Sequence, residues 1–138
     1  CSDDLVCSSL LHDYGHFVIK DPNQLVTDKI DGKHEIVGAN YLKKFFHNNI
    51  VEPILLHVEA KKYLSRDKKY FNSLSEASKI SLKLQGGAMS DLEVKKFEKN
   101  KNYENAIKLR KFDEGAKQKN IKVKNIKDYI DLLNSKII

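Results

Sequence analysis

Apolar residues recur along this chain at three- and four-residue spacings rather than in alternation, the pattern of helices that bury one face. Leu5, Val6 and Leu10 mark the first such face, and Ser2-Asp3-Asp4 ahead of it suits a helix start, with acids at the positive end of the dipole. The run predicts a helix over 3–12 that stops at His12-Asp13, with Gly15 letting the chain turn. Ile36, Val37, Tyr41, Leu42, Phe45 and Phe46 predict a second helix opening at His34-Glu35, in which Gly38 and Ala39 permit close packing. A third, over 50–64, carries Ile50, Val51, Ile54, Leu55 and Val58, with His57 among them and Lys61 one turn on.

Residues 65–74 read as a charged loop holding Tyr70 and Phe71. Ser75 caps a helix running to about Leu84, Gln85-Gly86-Gly87 breaks it, and Ser90-Asp91-Leu92-Glu93 matches a capping box for the next. Further helices are expected over 103–117 and, amphipathic, over 126–138. Segment 14–33 reads as irregular, with turn signals at Asp21-Pro22-Asn23 and Asp31-Gly32, and Phe17-Val18-Ile19 is the one short candidate strand. A connection of that length inside a compact domain is usually functional or mobile. The expected architecture is all-α, with residues 1–138 as one domain.

Composition agrees with this picture. The chain has 138 residues, 41% hydrophobic with 2 prolines, enough for an ordered core. No apolar run is long enough to span a bilayer, and no signal peptide is visible. Two cysteines, Cys1 and Cys7, argue against a disulfide framework and make a cytoplasmic setting the expectation. The chain opens on Cys1, without an initiator Met and with its first helix close behind, so an N-terminal part is expected to be absent. A lipoprotein beginning at its lipidated cysteine ranks lower, because no tether separates Cys1 from that helix.

Charge adds one pointer. Twenty-five basic against 19 acidic residues give +6, which suits an anionic substrate or nucleic acid, although most lysines alternate with acids on solvated helix faces. The basic stretch over 117–127 lacks both a docking motif and aromatic residues for stacking, so neither nucleic acid nor membrane is an expected partner.

The candidate chemistry lies at helix ends and faces. His12-Asp13 can place an imidazole on one metal and a two-oxygen carboxylate between two. His34, His57 and Asp113 are further candidates, and oxygen and imidazole ligands without thiolates suit iron, manganese or magnesium better than structural zinc. Each has a plainer reading when taken singly. His12 can cap a helix, His34 can be a loop residue, His57 can be a satisfied core histidine, and Asp113 can pair with Arg110 or Lys117. His47 reads as a helix-end surface residue. His16, Lys61, Ser78 and Arg110 form a second set, suited to holding an anion beside the metals. The Gln85-Gly86-Gly87 turn is either a helix cap or a close approach to a ligand.

Taken together, certain segments resemble the HD-domain superfamily: His12-Asp13-x-Gly15-His16, His34-Glu35-x-x-Gly38-Ala39-x-Tyr41-Leu42, His57-Val58-x-Ala60-Lys61-x-Tyr63-Leu64, Leu74-Ser75-x-Ala77-Ser78, Gln85-Gly86-Gly87-x-Met89 and Arg110-x-x-Asp113. Within it they are most similar to the mixed-valent di-iron oxygenases that cleave the carbon–phosphorus bond of 1-hydroxyphosphonates. The resemblance implies an HD-domain helical bundle with two iron ions, Fe2+/Fe3+, and dioxygen as co-substrate. The implied substrate is a 1-hydroxy-2-(substituted amino)ethylphosphonate, converted to a glycine- or betaine-type carboxylate and phosphate. By position, Asp13 would bridge the irons, with His12 and Asp113 serving one and His34 and His57 the other. His16, Lys61, Ser78 and Arg110 would hold the phosphonate, with Gln85 close by. The family also carries a histidine ligand on an earlier helix, and a tyrosine and acid covering the site, which this chain starts too late to contain. The wider superfamily implies an alternative, a metal-dependent phosphohydrolase acting on a phosphate ester, distinguished by whether turnover consumes oxygen.

Overall fold

A computed structural model describes residues 1–19 and 33–138. Among the described residues the helices are α1 (Asp3–Leu11), α2 (Gly15–Val18), α3 (His34–Leu42), α4 (Asn48–Leu64), α5 (Lys68–Ser73), α6 (Glu76–Leu84), α7 (Asp91–Glu98), α8 (Tyr103–Ala116) and α9 (Ile130–Ser135), the last preceded by a 3-10 turn, Ile126–Tyr129. No described residue lies in a sheet, and the lone backbone bridge joins Phe46 to Ile137.

The axis of the bundle is α4, which packs against α8, α3 and α1. Its period places Ile50, Val51 and Ile54 in a core cluster with Leu5, Cys7, Leu42, Phe46 and Leu109. Further along, Ala60 joins Met89, Phe97 and Ala106 in a second cluster. The same helix therefore contributes to both cores, and His57 and Lys61 are also buried on it. Ser8, buried on α1, donates to the Ile50 carbonyl at 2.8 Å and fixes α1 against α4.

Helix starts follow the predicted chemistry. Ser2 and Ser75 accept amide hydrogen bonds at the starts of α1 and α6, and Ser90 with Glu93 forms the full capping box of α7. The α6 helix ends where Gly86 and Gly87 take positive φ, +99° and +77°, which side chains disfavour.

Four expectations are corrected. The stretch 14–33 is not wholly irregular, since Gly15–Val18 is helical, and Phe17-Val18-Ile19 therefore forms no strand. Its two turn signals lie outside the described residues. Gly15 is needed for contact rather than for a turn: a Cβ there would stand 1.9 Å from the His34 carbonyl oxygen and 2.9 Å from the Gly38 amide, so α2 and α3 cross backbone to backbone. The charged loop over 65–74 contains α5, begun by Asp67, whose carboxylate accepts from the Lys69 and Tyr70 amides. The expected helix over 126–138 is a 3-10 turn followed by α9, and Ile138 donates back to the Phe45 carbonyl at 2.9 Å.

Candidate metal centre and anion pocket

His12 and Asp13 lie at the C-terminal end of α1, His34 opens α3, His57 lies inside α4, and Asp113 lies inside α8. The fold brings these five together. Asp13 stands between two histidines: its Oδ1 is 3.5 Å from His34 Nε2 and its Oδ2 is 3.3 Å from His12 Nε2. His12 Nε2 is also 3.6 Å from Asp113 Oδ1, and His34 Nε2 is 3.2 Å from His57 Nε2. Asp13, His34 and His57 each offer a ligand atom within 4.8 Å of the others.

The tautomers favour a cation at the centre. His12 Nδ1 donates to the Ser9 carbonyl at 2.8 Å, and His57 Nδ1 donates to the Ile54 carbonyl at 2.6 Å, each one turn back on its own helix. In the neutral rings the lone pairs then sit on Nε2 and face inward. The buried His12 Nε2 makes no hydrogen bond and faces two carboxylates. Burial opposes charging His12, but Asp113 and Asp13 outweigh it and raise its pKa to about 10. His57 behaves oppositely: burial, with help from His34, lowers its pKa to about 3 and keeps it neutral. Burial alone would raise the Asp13 carboxyl, yet His12, His34 and His57 hold it far below the usual carboxylate range. Against the same burial, His12, Arg110 and Lys117 hold Asp113 at about 2. A site that wants positive charge among inward lone pairs and ionised carboxylates fits metal ions bound by nitrogen and oxygen.

Beside this cluster is a cavity of about 140 Å³ lined by Asp13, His34, His57 and Asp113 together with Lys61, Gln85 and Arg110, and also by Val58 and Lys117. Lys61 is 5% exposed and donates to Ser81 Oγ at 2.8 Å. Burial, reinforced by Arg110 and Lys117, lowers its pKa to about 8. Arg110 ion-pairs with Asp113 and Glu114, and its Nε donates to the Tyr70 hydroxyl at 3.3 Å. Gln85 Oε1 is buried without a hydrogen-bond partner. A larger apolar cavity of about 520 Å³, beside Phe71, Ile80 and Leu82, has no histidine or carboxylate in its lining.

His16 and Ser78 sit one step back. The His16 ring stacks on His34 with centroids 4.2 Å apart. Ser78 is absent from the cavity lining; its hydroxyl accepts from Ser75 at 3.1 Å, and its carbonyl accepts from Ser81 Oγ. The exposed His47 takes no part and precedes α4. Ser81, Tyr70, Glu114 and Lys117 were not singled out in the sequence as site residues. Ser81 and Glu114 were reachable, being one helical turn beyond Ser78 and Arg110. Tyr70 gave no signal, because its helix was read as loop.

The arrangement thus places two histidine–carboxylate groups that share one aspartate at the meeting of four helices. The HD domain family profile matches residues 2–128, and the chain belongs to the HD domain family. The chain is 44% identical over 128 residues to hydroxymethylphosphonate dioxygenase of Gimesia maris, covering 90% of this chain and 63% of that protein. It is also 44% identical over 117 residues to the glycine-betaine-forming [1-hydroxy-2-(trimethylamino)ethyl]phosphonate dioxygenase of Leisingera caerulea, covering 84% of this chain and 60% of that protein. An uncharacterised protein of Acanthamoeba polyphaga mimivirus is 31% identical over 134 residues, which is 95% of this chain and 61% of that protein. The chain thus spans between 60% and 63% of the length of these curated relatives. HD-domain dioxygenases are metal-dependent, and this chain carries a group of side chains able to hold a metal.

Proposed function

We propose that this chain is the HD unit, over residues 1–138, of a cytoplasmic di-iron oxygenase that cleaves the C–P bond of a 1-hydroxyphosphonate. The observation that carries the reading is the position of Asp13, with a histidine nitrogen close to each carboxylate oxygen and a lysine- and arginine-lined cavity alongside. Both named relatives act on phosphonates whose phosphorus-bearing carbon carries a hydroxyl, which supports the same core substrate here. A substituted 2-amino group is the favoured extension. The free cysteines Cys1 and Cys7 support the cytoplasmic assignment.

In this reading His12, Asp13 and Asp113 would hold one iron, and His34 and His57, with Asp13 shared, would hold the other. The bound pair supplies dioxygen activation and electron transfer. The remaining work falls to the protein. Lys61 and Arg110 bind phosphonate oxygens and offset their charge, and Arg110 is held in place by Asp113, Glu114 and Tyr70. Gln85 offers its unsatisfied oxygen to a donor on the substrate. Ser78 supports the pocket through Ser81, and His16 does so by stacking on His34. His57 stays neutral and keeps its lone pair directed inward. Overall, the 1-hydroxyphosphonate dianion and O2 give a carboxylate, hydrogen phosphate and a proton. The carbon gains one oxygen and the phosphorus gains one, which balances the equation.

The test is simultaneous oxygen uptake and phosphate release by the full-length, iron-loaded protein with hydroxymethylphosphonate and with 2-amino-1-hydroxyethylphosphonate. Equal molar oxygen loss and phosphate gain is the expected result. Phosphate release from phosphate esters without oxygen loss would move the chain to the hydrolytic branch of the superfamily.

A further inference from the structure

The cavity holds a cation that neither the sequence pattern nor the proposed ligand set uses. Lys117 follows α8 directly and lines the cavity with Lys61 and Arg110, yet its side chain is 46% exposed. Its Nζ lies 3.3 Å from Glu114 Oε1 and 3.6 Å from Asp113 Oδ2. Arg110 pairs with both of those carboxylates as well. Glu114 and Asp113 therefore keep a buried cationic partner if Lys117 leaves them, and no carboxylate is stranded by its departure. Arg110 is nearly enclosed, held by Tyr70 and two carboxylates, and Lys61 is buried against Ser81. Lys117 is the member of the three with solvent access, a long flexible stem and three rotatable donors. Its charge reaches the others, helping to depress the pKa of Lys61.

We propose that Lys117 is a substrate-binding residue of the same pocket: a displaceable cation that rests on Glu114 and Asp113 and turns onto a phosphonate oxygen when the anion enters. Lys61 and Arg110 then form the fixed part of the anion site, and Lys117 forms its movable rim. A dianion gains a third positive partner, whereas a neutral or singly charged analogue gains less. Lys117 thus contributes to selection for the phosphonate group. This rests on reading the cavity as the phosphonate site.

The probe is methylphosphonate, which lacks the hydroxyl and is not turned over, titrated into the full-length metal-loaded protein by calorimetry at several salt concentrations. Lys117→Ala and Lys117→Gln should each weaken binding about tenfold, as for one charge-assisted hydrogen bond, and flatten the salt dependence. Lys117→Arg should retain most of the affinity, and thermal melting should change little in all three. Unchanged affinity in Lys117→Ala, alongside weakened binding in Lys61→Ala, overturns the inference and leaves the phosphonate pocket standing. Equal losses in Lys117→Arg and Lys117→Ala also overturn it, because the role would then not be one of charge. Absence of methylphosphonate binding by the parent protein, or binding indifferent to both lysines, overturns the inference and the reading of the pocket together.

Discussion

His12 and His57 show how little residue type alone determines. Both donate Nδ1 to a carbonyl one turn back, and both aim Nε2 at the same centre. Yet His12, between Asp13 and Asp113, holds a proton to about pH 10, while buried His57 sheds its proton above about pH 3. In the proposed ligand set both nitrogens would bind metal and the His12 proton would be displaced, so metal uptake should release protons. Asp13 serves both halves of the cluster. Replacing Asp13 with Ala in the complete protein should remove both irons, and metal analysis showing retained paired iron would refute the bridging role. Lys61 gives a pH prediction. Its ammonium is present below about pH 8 and lost above it. Affinity for methylphosphonate should therefore fall as pH rises through 8, and Lys61→Arg should abolish that fall because arginine stays charged. Parallel pH profiles for the parent and Lys61→Arg would contradict this.

At the scale of elements, the site depends on helix crossings that bring distant residues within hydrogen-bonding range. One is α2 over α3, where Gly15 and Gly38 touch backbone to backbone immediately beside His34. Gly15→Ala should cost about 1–3 kcal/mol or more by overpacking, and should loosen metal binding through His34. Gly115→Ala is the control: no atom within 4 Å would meet its Cβ, and it lies inside α8. There the substitution should stabilise by about 0.5–1 kcal/mol. Chemical denaturation of both variants decides; equal effects would mean that Gly15 is not a contact residue. The periodic helices and their caps were readable from sequence because Ser75, Ser90 and Glu93 act on neighbouring amides. The Gly15 contact was not readable, since it depends on a crossing between separate helices. Short α5 escaped as well: its six residues bury none of their side chains and so leave no apolar stripe.

At the scale of the molecule, α4 contributes to two cores and buries His57 and Lys61 as well, so the fold and the site are parts of one packing arrangement. Apart from the His12-Asp13 pair, the ligand candidates were individually unremarkable in the sequence, and their order and the segments around them pointed to a common centre. That order placed His12, Asp13, His34, His57 and Asp113 in one family pattern, and packing brings them together. Tyr70 stayed hidden because long-range packing, not spacing along a helix, brings it onto Arg110. A second, mostly apolar cavity of about 320 Å³ is lined by Leu10, His12, Leu109, Phe112 and Asp113, so the cluster borders two cavities.

The central claim is that this cluster serves oxygenation rather than hydrolysis, and isotope tracing tests it most directly. The full-length, iron-loaded protein is given hydroxymethylphosphonate under 18O2 in unlabelled water, and the products are weighed by mass spectrometry. The account predicts one 18O atom in the carboxylate product. Phosphate released under 18O2 with no label in the carboxylate, and with label entering only from H2 18O in the converse experiment, would contradict it.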